Sequence, residues 1–457
     1  MNRRDFIVRS ATSAAAVVAC NATPAVFAAA TARPPVILLR GSWQSVNIGD
    51  IGHTPGALDL IGRYCPEARV ILWPSEGALD HGVKDFLSRD FPRLRIAPGT
   101  VKNGNPTTPA LKAAWAEADF MLHGSGSGFG ARAQLAAWYR ATGKPYGVFG
   151  TSVDPISGIG PGLEAEGGTL DELRARIAKL PPDHLDKETR WVINRSAFMF
   201  CRDTISLDYL KAQGVHPPIL EFGPDSQFGM VQSDDARGDA YREKHALEEG
   251  KFICVVPRSR YTPYWQIRHT KMSASDRIKD AIDNRTVEKD SAKLRNMMIA
   301  YVRNTGNKVM TCPEMTDEIE LAKKVLVDPL PADVRNKVVW RDTFWLPDEA
   351  AAIYSKAQAV VSTECHSPII SIAHGTPAFY VRQPTDTCKG QMYPDIGLGN
   401  WLFEIDEIDG RLLWARLKVI IDNPTTARTQ IKTAMTRVDR LQRHMTKTLC
   451  NALSRRA

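Results

Sequence analysis

An α/β protein of two tandem Rossmann-like, doubly wound halves, with a cleft between them, is the architecture this sequence predicts. Short β-branched apolar runs alternate with helical patterns twice along the chain, which is how parallel sheets covered on both faces are written. A polar stretch between Val231 and Gly250 separates the two series. The length, 457 residues at 43% hydrophobic composition, supports two cores better than one.

The first series opens with Val36-Ile37-Leu38-Leu39, then a helix from near Pro55 to near Tyr64 and a strand at Arg69 to Leu72. Strands at Phe120 to Leu122 and Tyr146 to Phe149 flank a helix over Ala131 to Thr142, with Gly143 placed for a left-handed cap. Ala197 to Phe200 is a further strand, followed by a helix that Gly214 stops. The second series begins with Phe252 to Val256. It continues through a helix over Ala292 to Thr305, a strand at Lys308 to Thr311, a helix over Asp317 to Leu326 and a strand at Val338 to Trp340. An amphipathic helix from Pro347 to Ala357 precedes strands at Ala359 to Ser362 and Ala378 to Val381, and Asn423-Pro424 separates two C-terminal helices. The expected domains are therefore 34–232 and 248–457.

Residues 1–30 read as an export signal outside the fold: Arg3-Arg4-Asp5-Phe6-Ile7 is a twin-arginine motif, followed by an Ala/Val stretch and Ala28-Ala29-Ala30. The stretch is too short and alanine-rich for a spanning helix, so no stable transmembrane segment is expected after leader removal. Val17-Val18-Ala19-Cys20 also has the look of a lipoprotein processing box. The expected location is the periplasm or cell envelope. The formal charge is +8, with Lys and Arg scattered and no aromatic-interleaved basic run, so a nucleic-acid partner is not expected. Seven cysteines remain beyond the leader, widely spaced and without a C-x-x-C pair. Folding before export argues against an obligatory disulfide framework, and most should be buried small hydrophobes. No metal site is expected.

In open parallel sheets ligands bind outside the carboxyl ends of the strands, so the loops after strands are where chemistry should sit. Ser362-Thr363-Glu364-Cys365-His366-Ser367-Pro368 follows a buried strand, with Ser367 suited to an N-cap and Pro368 to the first helical position. His366 then stands at a helix N-terminus, where anions are welcomed and an imidazole can serve as acid or base. Glu364, two residues earlier, could pair with it. Arg258 and Arg260, after the first strand of the second half, are candidate anion clamps, with Arg382 and Ser367 as further donor-side groups. On the other side Asn47, Gly49, Asp50 and His53 could line the cleft or simply cap a helix. The glycines Gly124, Gly126 and Gly128 allow close backbone approach, but Gly126-x-Gly128 lies on a late strand, so neither a dinucleotide nor any other cofactor is expected. Arg202 and Asp203 could pair with each other at a strand end.

The order and spacing of these motifs resemble the polysaccharide pyruvyl transferase family. The similarity runs through Asn47-Ile48-Gly49-Asp50, the glycine loop Gly124 to Gly130, Cys201-Arg202-Asp203-Thr204-Ile205-Ser206, Gly223-Pro224-Asp225, and the segment Pro347 to Val381 with His366. The resemblance implies a B-type glycosyltransferase-like fold. It also implies transfer of pyruvate from phosphoenolpyruvate to two hydroxyls of a polysaccharide or oligosaccharide acceptor, with His366 as acid/base. One departure stands out: where the family usually has an Arg two residues before this His, the chain has Glu364. A donor other than phosphoenolpyruvate, an exported glycosyltransferase-like activity, or a non-catalytic carbohydrate-binding protein with a degenerate donor site therefore stay open.

Overall fold

The computed structural model describes residues 33–156 and 167–454; the leader, its twin-arginine motif and Cys20 lie outside the described residues. The strands are β1 (Val36–Arg40), β2 (Arg69–Trp73), β3 (Arg95–Ile96), β4 (Val101–Lys102), β5 (Asn105–Pro106), β6 (Phe120–His123), β7 (Tyr146–Thr151), β8 (Met199–Cys201), β9 (Leu220–Phe222), β10 (Phe252–Val256), β11 (Lys308–Thr311), β12 (Val338–Trp340), β13 (Ala359–Ser362), β14 (Ala378–Arg382) and β15 (Leu402–Glu404). Two parallel sheets result, ordered β3-β2-β1-β6-β7-β8-β9 and β12-β11-β10-β13-β14-β15, with β4 and β5 a separate antiparallel pair. Both sheets are doubly wound. Strand β1 pairs with β2 on one side and β6 on the other, and β10 pairs likewise with β11 and β13. These central strands are buried along their whole length, which is why they read as unbroken apolar runs.

The halves share their packing. Ile48, Phe228 and Met230 of the first half belong to the core of the second. In return the last helix, Pro424–Ser454, buries Met445, Leu449 and Leu453 in the core around β1 and β6, although the sequence reading assigned it to the second half. Its end also brings Cys450 to Cys65, and the two are joined as a disulfide across 385 residues. The sequence reading argued against an obligatory disulfide framework and did not foresee this pair, since no spacing rule can see one closed by a returning helix. Cys201, Cys254, Cys312, Cys365 and Cys388 are free and buried, as expected.

Two helices begin earlier than their apolar pattern suggests. The helix Ile48–Tyr64 carries Pro55 in its interior, where the sequence reading started it. Asn47 caps it by accepting from the amides of Gly49 and Asp50, and burial of Ile48, Ile51, Ala57, Leu60 and Ile61 outweighs the lost proline hydrogen bond. The helix Ala274–Thr305 starts at a capping box between Ser273 and Asp276, 18 residues before the expected Ala292. Its first half is largely charged and solvated, so periodicity is legible only in the second. The polar stretch expected to be a linker contains a helix, Asp235–His245, that lays Gly238 against Ala352 of the helix Pro347–Tyr354. Gly143 does adopt the left-handed cap, and Asn423 does end one C-terminal helix where Pro424 starts the next. Among the described residues no helix is long and apolar enough to cross a membrane.

Candidate functional site

A doubly wound sheet opens a crevice beyond the carboxyl ends of the two strands where its order reverses. Here those strands are β1 and β6 in one sheet, and β10 and β13 in the other. The loops after them carry Asn47 to His53, Gly124 to Gly130, Arg258 with Arg260, and Glu364 to Ser367. The two crevices face each other. The amide of Ile48 donates to the Glu314 carbonyl at 3.0 Å, and that of Thr316 to the Val46 carbonyl at 3.1 Å.

His366 is the first residue of the helix His366–Ala373. Neither Ser367 nor any other side chain of the helix caps it; the cap position is Cys365, two residues before the expected one. The capping group comes instead from Glu314, in the loop after β11. Its carboxylate accepts from the amides of His366 (3.1 Å) and Ser367 (2.5 Å), and from His366 Nδ1 at 3.0 Å. A carboxylate at a helix N-terminus is favoured by the dipole, and this one is completely buried. Burial opposes its charge, but the His366 ring and the Ser367 amide win, so the Glu314 pKa lies below the usual carboxylate value. Burial likewise opposes an imidazolium, but the adjoining Cys365 sulfur and Glu314 hold the His366 pKa well above the ordinary imidazole value. The sequence reading missed Glu314; the only trace of it was an acidic residue in a loop that follows a strand.

From the other half comes a matching pair. His53, on the helix capped by Asn47, points Nε2 at Asp225 Oδ2 (3.1 Å). The same oxygen accepts from Arg202 Nη1 at 2.7 Å, and Arg202 Nε donates to Ser152 Oγ at 2.9 Å. Arg202 therefore pairs with Asp225 and not with Asp203. Asp203 instead caps the helix Thr204–Ala212 through the Ser206 amide and accepts from the Ser152 hydroxyl. All of these groups are buried. Burial raises the pKa of Asp225, but His53, Arg202 and His366 overcome it, leaving Asp225 ionised far below the usual range.

The two imidazoles meet edge to face, with ring centroids 5.1 Å apart. Gly49 makes this approach feasible, because a β-carbon there would overlap the His366 ring. His53 is 1% and His366 4% exposed. Each ring has spent one nitrogen on a carboxylate, while His366 Nε2 and His53 Nδ1 make no hydrogen bond; the nearest acid to the latter is Asp50 Oδ1 at 3.7 Å. His53, Asp225 and His366 also bring one ligand atom each to within 4.8 Å of one another. Contrary to the sequence reading, these residues could hold a metal ion, though Arg202 already holds the Asp225 oxygen a cation would need.

The basic candidates are all matched by carboxylates. Arg258 lies against Glu364 (Nε to Oε1, 2.9 Å) and Asp386; Lys389 stands 3.4 Å from Asp386 and 3.9 Å from Glu364. Arg260 is engaged by Asp290 and Asp406, and Arg382 by Glu404 and two backbone carbonyls. Glu364 thus pairs with Arg258, whereas His366 pairs with Glu314. Ser367 contributes its amide to Glu314, and its buried hydroxyl makes no hydrogen bond. In the glycine loop, the Gly124 amide donates to the Arg40 carbonyl, Gly126 bridges to Thr151, and the Gly128 carbonyl accepts from the Thr151 hydroxyl. Asp50 accepts from Gln44, which also reaches Tyr264 of the second half.

A model of the family described as polysaccharide pyruvyl transferase matches residues 47–383, most of the chain, including His53, Arg202, Asp225, Arg258, Glu314 and His366. No curated protein matches. Among solved structures, the fold is similar to a UDP-N-acetylglucosamine 2-epimerase from Neisseria meningitidis bound to UDP-GlcNAc (10% identity, TM-score 0.51, covering 91% of this chain and 99% of that one). It is also similar to a putative UDP-N-acetylglucosamine 2-epimerase from Listeria monocytogenes (12%, 0.51, 89% and 95%) and to a ugt transferase from Siraitia grosvenorii in complex with UDP (11%, 0.50, 92% and 100%). At such identities the likeness shows a shared B-type glycosyltransferase fold, with two Rossmann-like halves, and nothing about ligands.

Proposed function

Because this chain belongs to the polysaccharide pyruvyl transferase family, we propose that it transfers pyruvate from phosphoenolpyruvate to two hydroxyls of a sugar, closing a cyclic ketal. One observation carries the reading. Two imidazoles, one from each half, face each other with His366 Nε2 and His53 Nδ1 uncommitted, each ring steadied by a carboxylate on its other nitrogen. Ketal formation needs such a pair. The enol methylene must gain a proton as the first sugar hydroxyl adds to the central carbon, and that hydroxyl must lose its own. The second hydroxyl then adds to the same carbon as the carbon–oxygen bond to phosphate breaks, and its proton leaves with the phosphate. His366, held protonated beside Glu314, suits the acid; His53 on Asp225 suits the base. Both rings are nearly enclosed, so substrates reach them only as the loops that carry the two rings open. The twin-arginine leader supports a site of action in the periplasm or envelope.

A second reading is favoured by the carboxylates. Glu314 covers the helix amides, and Glu364 with Asp386 covers Arg258, leaving a site better disposed to a neutral sugar than to a trianionic donor. It makes the protein a carbohydrate binder that does not use phosphoenolpyruvate. The test is phosphate release from phosphoenolpyruvate in the presence of oligosaccharides, with the ketal methyl followed by NMR. Turnover that His366→Ala and His53→Ala abolish supports the first reading. Oligosaccharide raising the melting temperature without phosphate release supports the second.

A further inference from the structure

We propose that Glu364 is the specificity-determining residue of this site: lying on Arg258 as a built-in anion, it obliges any phosphate or carboxylate ligand to compete with it for the guanidinium. The proposal rests on the reading of the seam as the place where an anionic donor meets a sugar.

Glu364 and Arg258 belong to the loops after β13 and β10, the two strands flanking the reversal of the second sheet, and Glu364 is two residues from His366. The arginine can be claimed by a ligand because its two carboxylates hold it unequally. Asp386 accepts a hydrogen bond from Nη1 and is itself anchored by the Tyr380 hydroxyl and the Gln383 amide. Glu364 lies only 2.9 Å from Nε, yet that nitrogen makes no aligned hydrogen bond. The contact is one of charge proximity, so it is the exchangeable partner. Arg260 offers no such opening, because Asp290 grips it through both Nε and Nη2. Arg382 is fastened to Glu404 and to the carbonyls of Gly168 and Asp386. Among the predicted clamps, Arg258 alone has a partner that a ligand oxygen could replace without unpicking a forked bond or a main-chain contact.

The groups facing Glu364 make its charge costly to keep. Arg258 and Lys389 attract it, while Glu314, Asp386 and Glu318 repel it, with the Tyr264 phenol also near. A neutral side chain of the same shape at this position should therefore raise anion affinity, because a ligand would then meet a guanidinium held by Asp386 alone.

The experiment is calorimetric titration of the protein with inorganic phosphate and with phosphoenolpyruvate at about pH 8, where carboxyl groups are ordinarily ionised. Near pH 8, Glu364→Gln should bind both roughly tenfold or more tightly than the parent, the worth of one displaced charge-assisted contact. Glu364→Asp, which keeps the charge, should behave as the parent, and adding Arg258→Gln should cancel the gain. A Glu364→Gln protein no tighter than the parent near pH 8, binding undetectable in both, or a gain that survives Arg258→Gln overturns the proposal. Ketal formation is read separately. Tighter phosphate binding without turnover leaves Glu364 as assigned and sinks the pyruvyl reading, whereas turnover with no gain in Glu364→Gln does the reverse.

Discussion

Removing Glu314 is the sharpest test of how the site is held together. Its carboxylate is the acceptor for three buried donors, the amides of His366 and Ser367 and the Nδ1 of His366; Glu314→Ala leaves both amides without one and the ring with only the Cys365 sulfur at 3.6 Å. Each orphaned buried donor costs about 1–3 kcal/mol and the severed ion pair overlaps with them, so a total of about 3–5 kcal/mol is expected. For a chain of this size that lowers the melting temperature by about 3–6 °C. Glu314→Gln keeps one acceptor oxygen and should lose less. The pair also predicts the pH course. The folded pKa of His366 is raised, so its contribution is whole below the unfolded imidazole value and fades as pH rises through the folded one. That of Glu314 is lowered, so its contribution is whole above the unfolded carboxylate value and fades as pH falls through the folded one. Both are fully present only between about pH 4.5 and 6.5. Urea unfolding of parent and variants across pH is the assay. If Glu314→Ala unfolds within about 1 kcal/mol of the parent, or by the same margin at every pH, the linked pair is not what holds this helix end.

Gly49→Ala should drive the His366 ring out of line, costing about 1–3 kcal/mol by overpacking and most of the turnover; a fully active variant would show that the rings need not meet. Arg202→Met strands the Asp225 carboxylate in the interior and should cost about 3–5 kcal/mol in chemical denaturation. Cys65→Ser should lower stability by up to about 5 kcal/mol in oxidising buffer and by little once the parent is reduced, because Cys65 and Cys450 close almost the whole chain into one loop.

Much of the scaffold could be read from local pattern. The runs Val36 to Leu39, Phe252 to Val256 and Ala359 to Ser362 are strands because a β-branched segment buried on both faces has few other homes. The placing of His366 after β13 and of Asn47 to His53 after β1 followed from the rule that ligands gather beyond strand ends, and the rule brought the two loops face to face. Short outer strands such as Arg95–Ile96 and Leu220–Phe222 left too brief a pattern to stand out. The charged first half of the helix Ala274–Thr305 carried no stripe because it buries almost nothing.

Partnership is where local pattern ran out. Nothing near Arg202 in the chain marks Asp225 as its partner in preference to the adjacent Asp203, and nothing near His366 points to Glu314, 52 residues earlier. Backbone periodicity and caps are set by neighbours a few residues apart, so composition and spacing record them. Which carboxylate answers which cation, which nitrogen is left uncommitted and which cysteines meet depend on how two sheets and a returning helix pack. Those choices are made by burial across the seam, where an unpaired charge is too costly to remain, and they leave no mark in the order of residues.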